Sequence, residues 1–483
     1  MAASTNSEPA LTPIKFSRLA RRGILLGLSG PQLLMASLAA GTLILGLYVG
    51  AVVMTFPVIG LLAALAFAGV GGRKLIEWAP VGARWLWRST GGQLIYRRRI
   101  VRPRPAGTLA LPGDAARLRQ WLDPETGAVM VHDPHAATLT AIIGVSHPAF
   151  VLLDPAEQER RVVAWGRVLA TACRSGRIAA IQVSERTLPD SGKGLAQWWD
   201  SHGSRDETWT SQTYAELIDR AGPAGERHAS TISISLDMRI AGRAIRAAGG
   251  GMKGAAAVLR QEMATMVAAL RSADLSPTDW LTPGDLAVIL RSAYDPAVAG
   301  ALERHGELGR DLATAGPVAV TESWGSLRSD SAHHCVLWIS EWPRSLVFPG
   351  FLAPLLLSSG IRRTFTLLYT PMRTDRAARD IRKKKTEYIS DAAQRQKIGQ
   401  IEDAQQTAEY QDVLQQEADL TAGHGVLRCT GLVAVSANDP DELERTVAAV
   451  EQAAIQSSCE TRRLWGQQAQ GFAVAAIPLC RSV

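Results

Sequence analysis

The hydrophobic pattern divides the chain into an apolar start and a mixed remainder. From residue 23 to residue 72 there is no Asp, Glu, Lys or Arg. A helix needs about 20 apolar residues to cross a bilayer, so this run fits two crossings joined by a tight turn. The first is expected near residues 32–50 and the second near 52–70. A signal peptide is the competing reading of Arg21-Arg22 and the apolar run behind it. It predicts a shorter apolar stretch followed by polar sequence, whereas here more apolar sequence follows.

After residue 105 the pattern switches to alternating strand-like and helix-like segments. Residues 127–132 and 138–145 are β-rich runs separated by the turn signal Asp133-Pro134-His135. Asp154-Pro155 opens a helix, because Asp caps well and Pro suits the first helical position. Residues 178–183 follow as a strand. The arrangement returns near the end: a strand at 426–435, a helix opened by Asp439-Pro440, and a closing strand at 472–477. Between them lie a strand at 230–236, a helix at 254–275 and a third strand–helix–strand candidate through 335–339, 351–357 and 365–369. The predicted class is α+β. Two N-terminal transmembrane helices precede a large cytosolic region of βαβ, ferredoxin-like units with a long charged helix or helical hairpin.

That charged element spans residues 373–422, with no proline and a single glycine, Gly399. As one helix it would be about 75 Å long. Residues 373–397 hold nine cations against four acids, and residues 400–420 hold six acids and no cation. This order opposes the helix dipole, which favours acids first and cations last. Two readings remain: a solvated hairpin, or an arm whose Arg382, Lys383, Lys384 and Lys385 dock on an acidic partner.

Composition adds topology. The 483 residues are 47% hydrophobic and 20% charged, enough for a sizeable core, with a net charge of +7. Residues 1–105 carry 13 basic and two acidic side chains, a net of +11, and the rest is −4. Basic residues flank both sides of the apolar run, so both flanks are expected in the cytoplasm with only the turn outside. The expected organisation is a basic tail (1–22), a transmembrane hairpin (23–72), a basic Trp-rich collar (73–105), a cytosolic α/β region (106–372), the charged arm (373–422) and a C-terminal βαβ unit (423–483). In the collar, Trp78, Trp85 and Trp87 with Arg97, Arg98 and Arg99 suit the lipid headgroup layer. Direct contact with nucleic acid is a less favoured reading of the same residues. The five cysteines are scattered, odd in number and without metal spacing, as expected of reduced thiols.

No segment declares a catalytic chemistry. The Leu188-Pro189-Asp190-Ser191-Gly192-Lys193 stretch resembles a phosphate loop only superficially. Thr187 stands where the first glycine belongs, and Gly194 stands where the magnesium-binding hydroxyl belongs. The Gly249-Gly250-Gly251 run also lacks the spacing and suits a sharp turn into a helix. His132 with His135, and His333-His334-Cys335, show no further ligands at metal spacing, and strand neighbours point to opposite faces. His228 begins a strand and has the chemistry of a general base, without a nucleophile evident beside it. Ser340-Glu341-Trp342-Pro343-Arg344 reads as a charged turn. No catalytic residue, cofactor or metal is therefore assigned.

Several strings carry a resemblance: Ala106-Gly107-Thr108-Leu109-Ala110-Leu111-Pro112-Gly113, Val131-His132-Asp133-Pro134, Glu185-Arg186-Thr187-Leu188-Pro189-Asp190 and Glu341-Trp342-Pro343-Arg344. With the paired crossings, the chain resembles an actinobacterial membrane-protein family associated with integrative conjugative elements and type IV secretion-like DNA transfer. The resemblance implies a non-enzymatic membrane component, oligomeric within a complex, whose partners are the lipid bilayer, a separate conjugation ATPase and other membrane components. The soluble region also resembles the non-motor part of such ATPases. A membrane component of type VII secretion and a membrane-tethered enzyme are the alternatives.

Overall fold

The computed structural model describes residue 16 and residues 30–70, 73–99, 101, 107–109, 111–147, 150–190, 193–204, 206, 208–221, 225–304, 310–398, 404–422 and 425–482. They form two units, one within 18–94 plus Trp465–Gln467, and one made mainly of Ile95–Leu464 and Gln468–Val483.

The small unit holds helices α1 (Gly30–Val49) and α2 (Val52–Phe67), a ribbon of β1 (Gly69–Val70) and β2 (Arg73–Lys74), and helix α3 (Leu75–Thr90). Gln32 near the start of α1 donates to the Ala66 carbonyl near the end of α2 at 2.9 Å, so the two helices are antiparallel. Gly46 permits their close approach: a Cβ there would lie 2.7 Å from Thr55 Cγ2. The connecting turn uses Gly50 at φ +71°, a conformation glycine adopts without penalty. Only one of the two predicted crossings is long and apolar enough by itself. Helix α1 has 20 residues, whereas α2 stops at 16. At 1.5 Å per residue α2 covers about 24 Å, against about 30 Å of hydrocarbon. The chain leaves the helix at Phe67 because Gly69 and Val70 turn into the ribbon.

The large unit is built on one sheet. Its strands are β3 (Ile95–Arg97), β4 (Arg119–Leu122), β5 (Val129–Asp133), β6 (Thr138–Ser146), β7 (Ile178–Pro189), β8 (Glu226–Asp237), β9 (Ser276–Trp280), β10 (Ala319–Glu322), β11 (Leu327–Ser329), β12 (Ala332–Glu341), β13 (Arg362–Met372), β14 (Val426–Ala437) and β15 (Glu460–Arg463). Helix α4 (Pro155–Ser175) follows β6. A pair, α5 (Lys193–His202) and α6 (Trp209–Ala221), lies between β7 and β8. Helices α7 (Gly242–Ala247) and α8 (Gly251–Ser272) precede β9, and α9 (Pro283–Tyr294) and α10 (Ala299–Arg304) follow it. In the second half α11 (Ala353–Leu357) follows β12, the pair α12 (Thr374–Ile398) and α13 (Ala404–Thr421) lies between β13 and β14, and α14 (Pro440–Gln456) and α15 (Gln468–Ala475) flank β15.

The 13 strands run in the order β3-β10-β11-β12-β14-β13-β7-β8-β6-β5-β4, with β15 beside β12 and β9 beside β6. Among the described residues, neighbouring strands of this sheet pair antiparallel. The order contains one motif twice. In the first half β6-α4-β7-β8-α8-β9 gives β9-β6-β8-β7; in the second β12-α11-β13-β14-α14-β15 gives β15-β12-β14-β13. Each is a split β-α-β pattern of the ferredoxin-like kind, and the halves join through β7 and β13.

The duplication expected from the sequence is thus present, with its parts paired differently. The two Asp-Pro helices, α4 and α14, are not counterparts: α4 matches α11, and α14 matches α8. The expected closing strand at 472–477 is mostly helix, α15, because the polar Glu460–Arg463 segment takes the last strand position. An apolar run of that length fits a buried helix as well as a strand.

Alternation along the strands supplies two apolar faces. Leu139, Ala141 and Ile143 of β6 pack under α4 and α8 with Leu259 and Met263. Val433 and Val435 of β14 pack under α11 and α14 with Leu355 and Val447. The intervening Ile142, Leu432 and Ala434 face the other way, toward α9 and α15 with Leu290 and Phe472. On that side a buried polar seam holds the C-terminal segment. Gln182 donates to the carbonyls of Val474 and Ile477, each at 3.0 Å, Thr366 to Ala475 at 2.7 Å and Ser233 to Pro478 at 2.7 Å.

Candidate functional site: an arginine-lined cleft

The strand β7 ends in Ser184-Glu185-Arg186-Thr187-Leu188-Pro189, paired with β8 so that Glu185 faces Ser230 and Arg186 faces Ala229. Successive side chains leave opposite faces. Glu185 therefore turns away from the side that Arg186 occupies. It lies 3.4 Å from His228 Nδ1 and accepts a hydrogen bond from Ser230, whose hydroxyl is 3.2 Å from His147 Nε2. Arg186 turns toward α9.

On the α9 side a cavity of about 600 Å³ opens between the end of the β6–β7–β8 sheet and helices α9 and α10. Arg186, Arg227, Arg310, His147 and His228 line it, and among the described residues Asp285 is the one acid on its wall. Arg186 is 3% exposed. Its Nη2 donates to Ser292 Oγ at 2.8 Å, and Ser292 is itself fixed by donating to the Val288 carbonyl at 2.7 Å. Its Nε is buried without a partner, and among the described residues no carboxylate lies within ion-pair distance of it. Burial, with Arg227 nearby, lowers its pKa to about 10. Arg310 is 3.8 Å from Asp285. Chemically, the cleft is a cationic pocket with apolar walls that include Leu188, Val288 and Leu302.

The residues singled out from the sequence are spread over the molecule. Trp78 and Trp85 are half-buried in α3, seven residues apart on one helical face, while Trp87 is 76% exposed. Arg97, Arg98 and Arg99 do not continue that helix. Arg97 lies in β3, paired with Ala319, and Arg98 donates to the Ala313 carbonyl at 2.9 Å. Arg97 and Arg99 remain exposed.

The charged arm is the hairpin of α12 and α13, joined by Lys385 to Glu417 at 2.7 Å, by Tyr388 to Glu409 at 2.9 Å and by packing of Ile381, Tyr388 and Val413. Antiparallel folding sets the basic helix against the acidic one, which explains a charge order that a single helix would oppose. Lys385 is thereby spent inside the hairpin, and its pKa is raised by the hydrogen bond to Glu417. Arg382, Lys383 and Lys384 stay exposed.

His334 is fully buried, with Nε2 2.7 Å from Ser329 Oγ and Nδ1 2.8 Å from Ser436 Oγ; burial lowers its pKa to about 4. His132 and His333 are also lowered, first by burial. Among the described residues no three His, Cys, Asp or Glu side chains gather as a metal site. Cys335 and Cys429 are free thiols, both pushed up to about 12 by burial. Gly249, Gly250 and Gly251 have φ of +99°, +71° and +57° and make the expected sharp turn into α8. Glu341 and Arg344 pair as a surface turn. Ser191 and Gly192 of the superficial phosphate loop lie outside the described residues, and α5 begins at Lys193.

Sequence reasoning did not single out Arg186 as a site residue, although it stood inside one of the quoted strings. The available signal was a charged pair, Glu185-Arg186, within a strand-like run. Neither a scan of protein-family models nor a search of curated proteins finds a match to this chain.

Proposed function

We propose that the chain is a membrane-anchored structural component of a conjugative, type IV secretion-like DNA-transfer complex, working beside a separate ATPase. The observation that supports this reading best is the apolar hairpin. Helix α1 is 20 residues long, and of its residues Gln32 and Gly46 alone are buried. Tyr48, Val53 and Met54 are 89%, 80% and 82% exposed. Exposed apolar surface of that extent marks a membrane or a partner. Both threonine hydroxyls are satisfied within their own helices, Thr42 to Leu38 at 2.8 Å and Thr55 to Val52 at 2.7 Å, as suits a lipid environment.

In this proposal both helices cross the cell membrane, both termini are cytoplasmic, and the large unit lies in the cytosol. The short α2 is accommodated by local thinning, at fractions of a kcal/mol per Å of mismatch. Trp78, Trp85 and Trp87 sit in the headgroup layer, and Arg382, Lys383 and Lys384 contact a protein partner. The family resemblance supplies the conjugative context.

The test is purification of the cross-linked complex in detergent followed by identification of its partners. A conjugation ATPase is the expected partner; a type VII secretion ATPase would transfer the protein to that system. The cleft beside Arg186 favours a second reading, a membrane-tethered enzyme, which turnover of a phosphorylated compound would establish.

A further inference from the structure

The segment between β12 and α11 carries an aromatic slot. Trp342 and Phe351 are half-buried there, at the margin of the core under α11 and α14. The indole rests against β14 at Gly431, where an added Cβ would lie 2.9 Å from its Cζ2, so glycine at that position makes the seat for the ring. The same stretch of chain leaves Leu346 and Phe348 exposed, and Leu357 at the end of α11 with them. Apolar side chains left exposed in one stretch suit a contact surface. Part of that surface is filled from the other end of the sequence. Phe16 stacks on Trp342, with ring centroids 5.2 Å apart and planes 13° from parallel, and meets Phe351 edge-on at 5.5 Å. Both are arrangements that aromatic pairs favour. Phe16 precedes α1, yet it belongs with the large unit and not with the hairpin that follows it.

We propose that the Trp342–Phe351 slot is a docking site for the chain's own N-terminal segment, with Phe16 as the plug that straps the lead into α1 to the large unit of the same chain. A lone phenylalanine is a weak ligand when free. Carried on the same chain, it meets the slot at an effective concentration of about a millimolar or more, and the contact persists. An aromatic side chain from a second copy would have to displace it. The strap deepens the proposed membrane anchoring, and its consequence for topology rests on that reading. If α1 crossed the bilayer and α2 did not, Phe16 and Trp342 would lie in different compartments, because one precedes α1 and the other follows α2. Their contact therefore requires the short α2 to cross back. A hairpin lying on the surface without crossing also permits the strap, so the strap and the crossing can fail separately.

The experiment places the photoreactive p-azidophenylalanine at position 16 of the full-length chain. Native membranes are irradiated, and the cross-links are mapped by digestion and mass spectrometry. The expected links lie within one chain and join position 16 to residues 338–351, and they fall to background when Trp342→Ala and Phe351→Ala are combined. The second measurement is hydrogen exchange of the detergent-solubilised full chain. Phe16→Asp should speed exchange of residues 342–352 about fivefold or more and leave β4 and β5 unchanged, whereas Phe16→Tyr should exchange like the parent. It decides the matter if the double alanine variant does not fold. The proposal is overturned if the links map elsewhere, if they join two chains, if none form, or if Phe16→Asp leaves exchange of 342–352 unchanged. Failure of the crossing is read separately, by labelling of the turn between α1 and α2, which does not involve Phe16.

Discussion

The two halves of the large sheet share one connectivity and treat a buried arginine in opposite ways. In the register that joins them, Arg186 of β7 lies opposite Thr364, and Arg363 of β13 lies opposite Thr187. Neighbouring positions on paired strands point to opposite faces, so the two guanidinium groups enter different layers. Arg363 reaches the end of α11, where Nη1 donates to the Ser358 carbonyl at 2.8 Å and to its hydroxyl at 3.0 Å. It satisfies carbonyls that a helix end leaves unpaired. Arg186 reaches a cleft and one serine. The difference teaches that one topology serves two ends: in the second half the arginine is part of the packing, and in the first, among the described residues, a single serine hydroxyl answers it.

The helical pairs inserted at corresponding places repeat the contrast. The second half inserts α12 and α13, a charged hairpin closed by Lys385 and Glu417. The first inserts α5 and α6, which leave Trp198, Trp209 and Leu217 at 52%, 77% and 56% exposure.

Phe472 tests whether the halves are energetically one body. It stands 5.1 Å from Tyr294 and 4.6 Å from His334, ring to ring, and is 1% exposed. Phe472→Ala should cost about 4 kcal/mol in one cooperative transition, followed by denaturant unfolding in detergent. Two separate transitions would show that the halves are independent.

Arginine replacement follows in size. Arg363→Met should cost about 3 kcal/mol, because charged hydrogen bonds are lost and buried carbonyls are orphaned. Arg186→Met should be neutral or stabilising by about 1 kcal/mol, as replacements of poorly compensated buried charges often are. Equal losses would erase the distinction between the halves.

His334 gives a smaller, pH-dependent effect. Its folded pKa of about 4 lies below the ordinary 6.5. Between those values the unfolded chain binds the extra proton, so stability is full above pH 6.5 and falls as pH drops toward 4. From pH 7 to 5.5 the loss should be about 1 kcal/mol, measured as a lowered melting temperature and removed in His334→Gln. The Lys385–Glu417 pair should give the smallest effect, since exposed ion pairs contribute little. Lys385→Glu should slightly loosen the hairpin in hydrogen exchange, and Lys385→Glu with Glu417→Lys should restore it.

The parts of the fold that were legible in the sequence were those with local signals. Asp-Pro at 154–155 and at 439–440 marked the starts of α4 and α14, and in the second case the cap is visible as Asp439 accepting from Glu442 N at 2.8 Å. Three consecutive glycines marked the turn into α8. What was not legible depends on long-range pairing. Nothing local in residues 472–477 distinguishes a strand from the helix that the polar β15 leaves room for. The charge order of 373–422 left a hairpin and a docking arm open, and the pairing of Lys385 with Glu417 selects the hairpin. The cleft is least legible of all, because the burial of Arg186 is decided by β8, α9 and α10, which come 40 or more residues later.

The proposed function requires that the apolar hairpin cross the membrane twice and leave the large unit inside. The most direct test is labelling of an Ala51→Cys variant in intact cells with a membrane-impermeant maleimide. Cys introduced at this turn should be labelled from outside, while the native thiols at Cys173 and Cys429, both raised above the ordinary range by burial, should react only after lysis in denaturant. Labelling of the native thiols in intact cells, or protection of the turn until lysis, would contradict it.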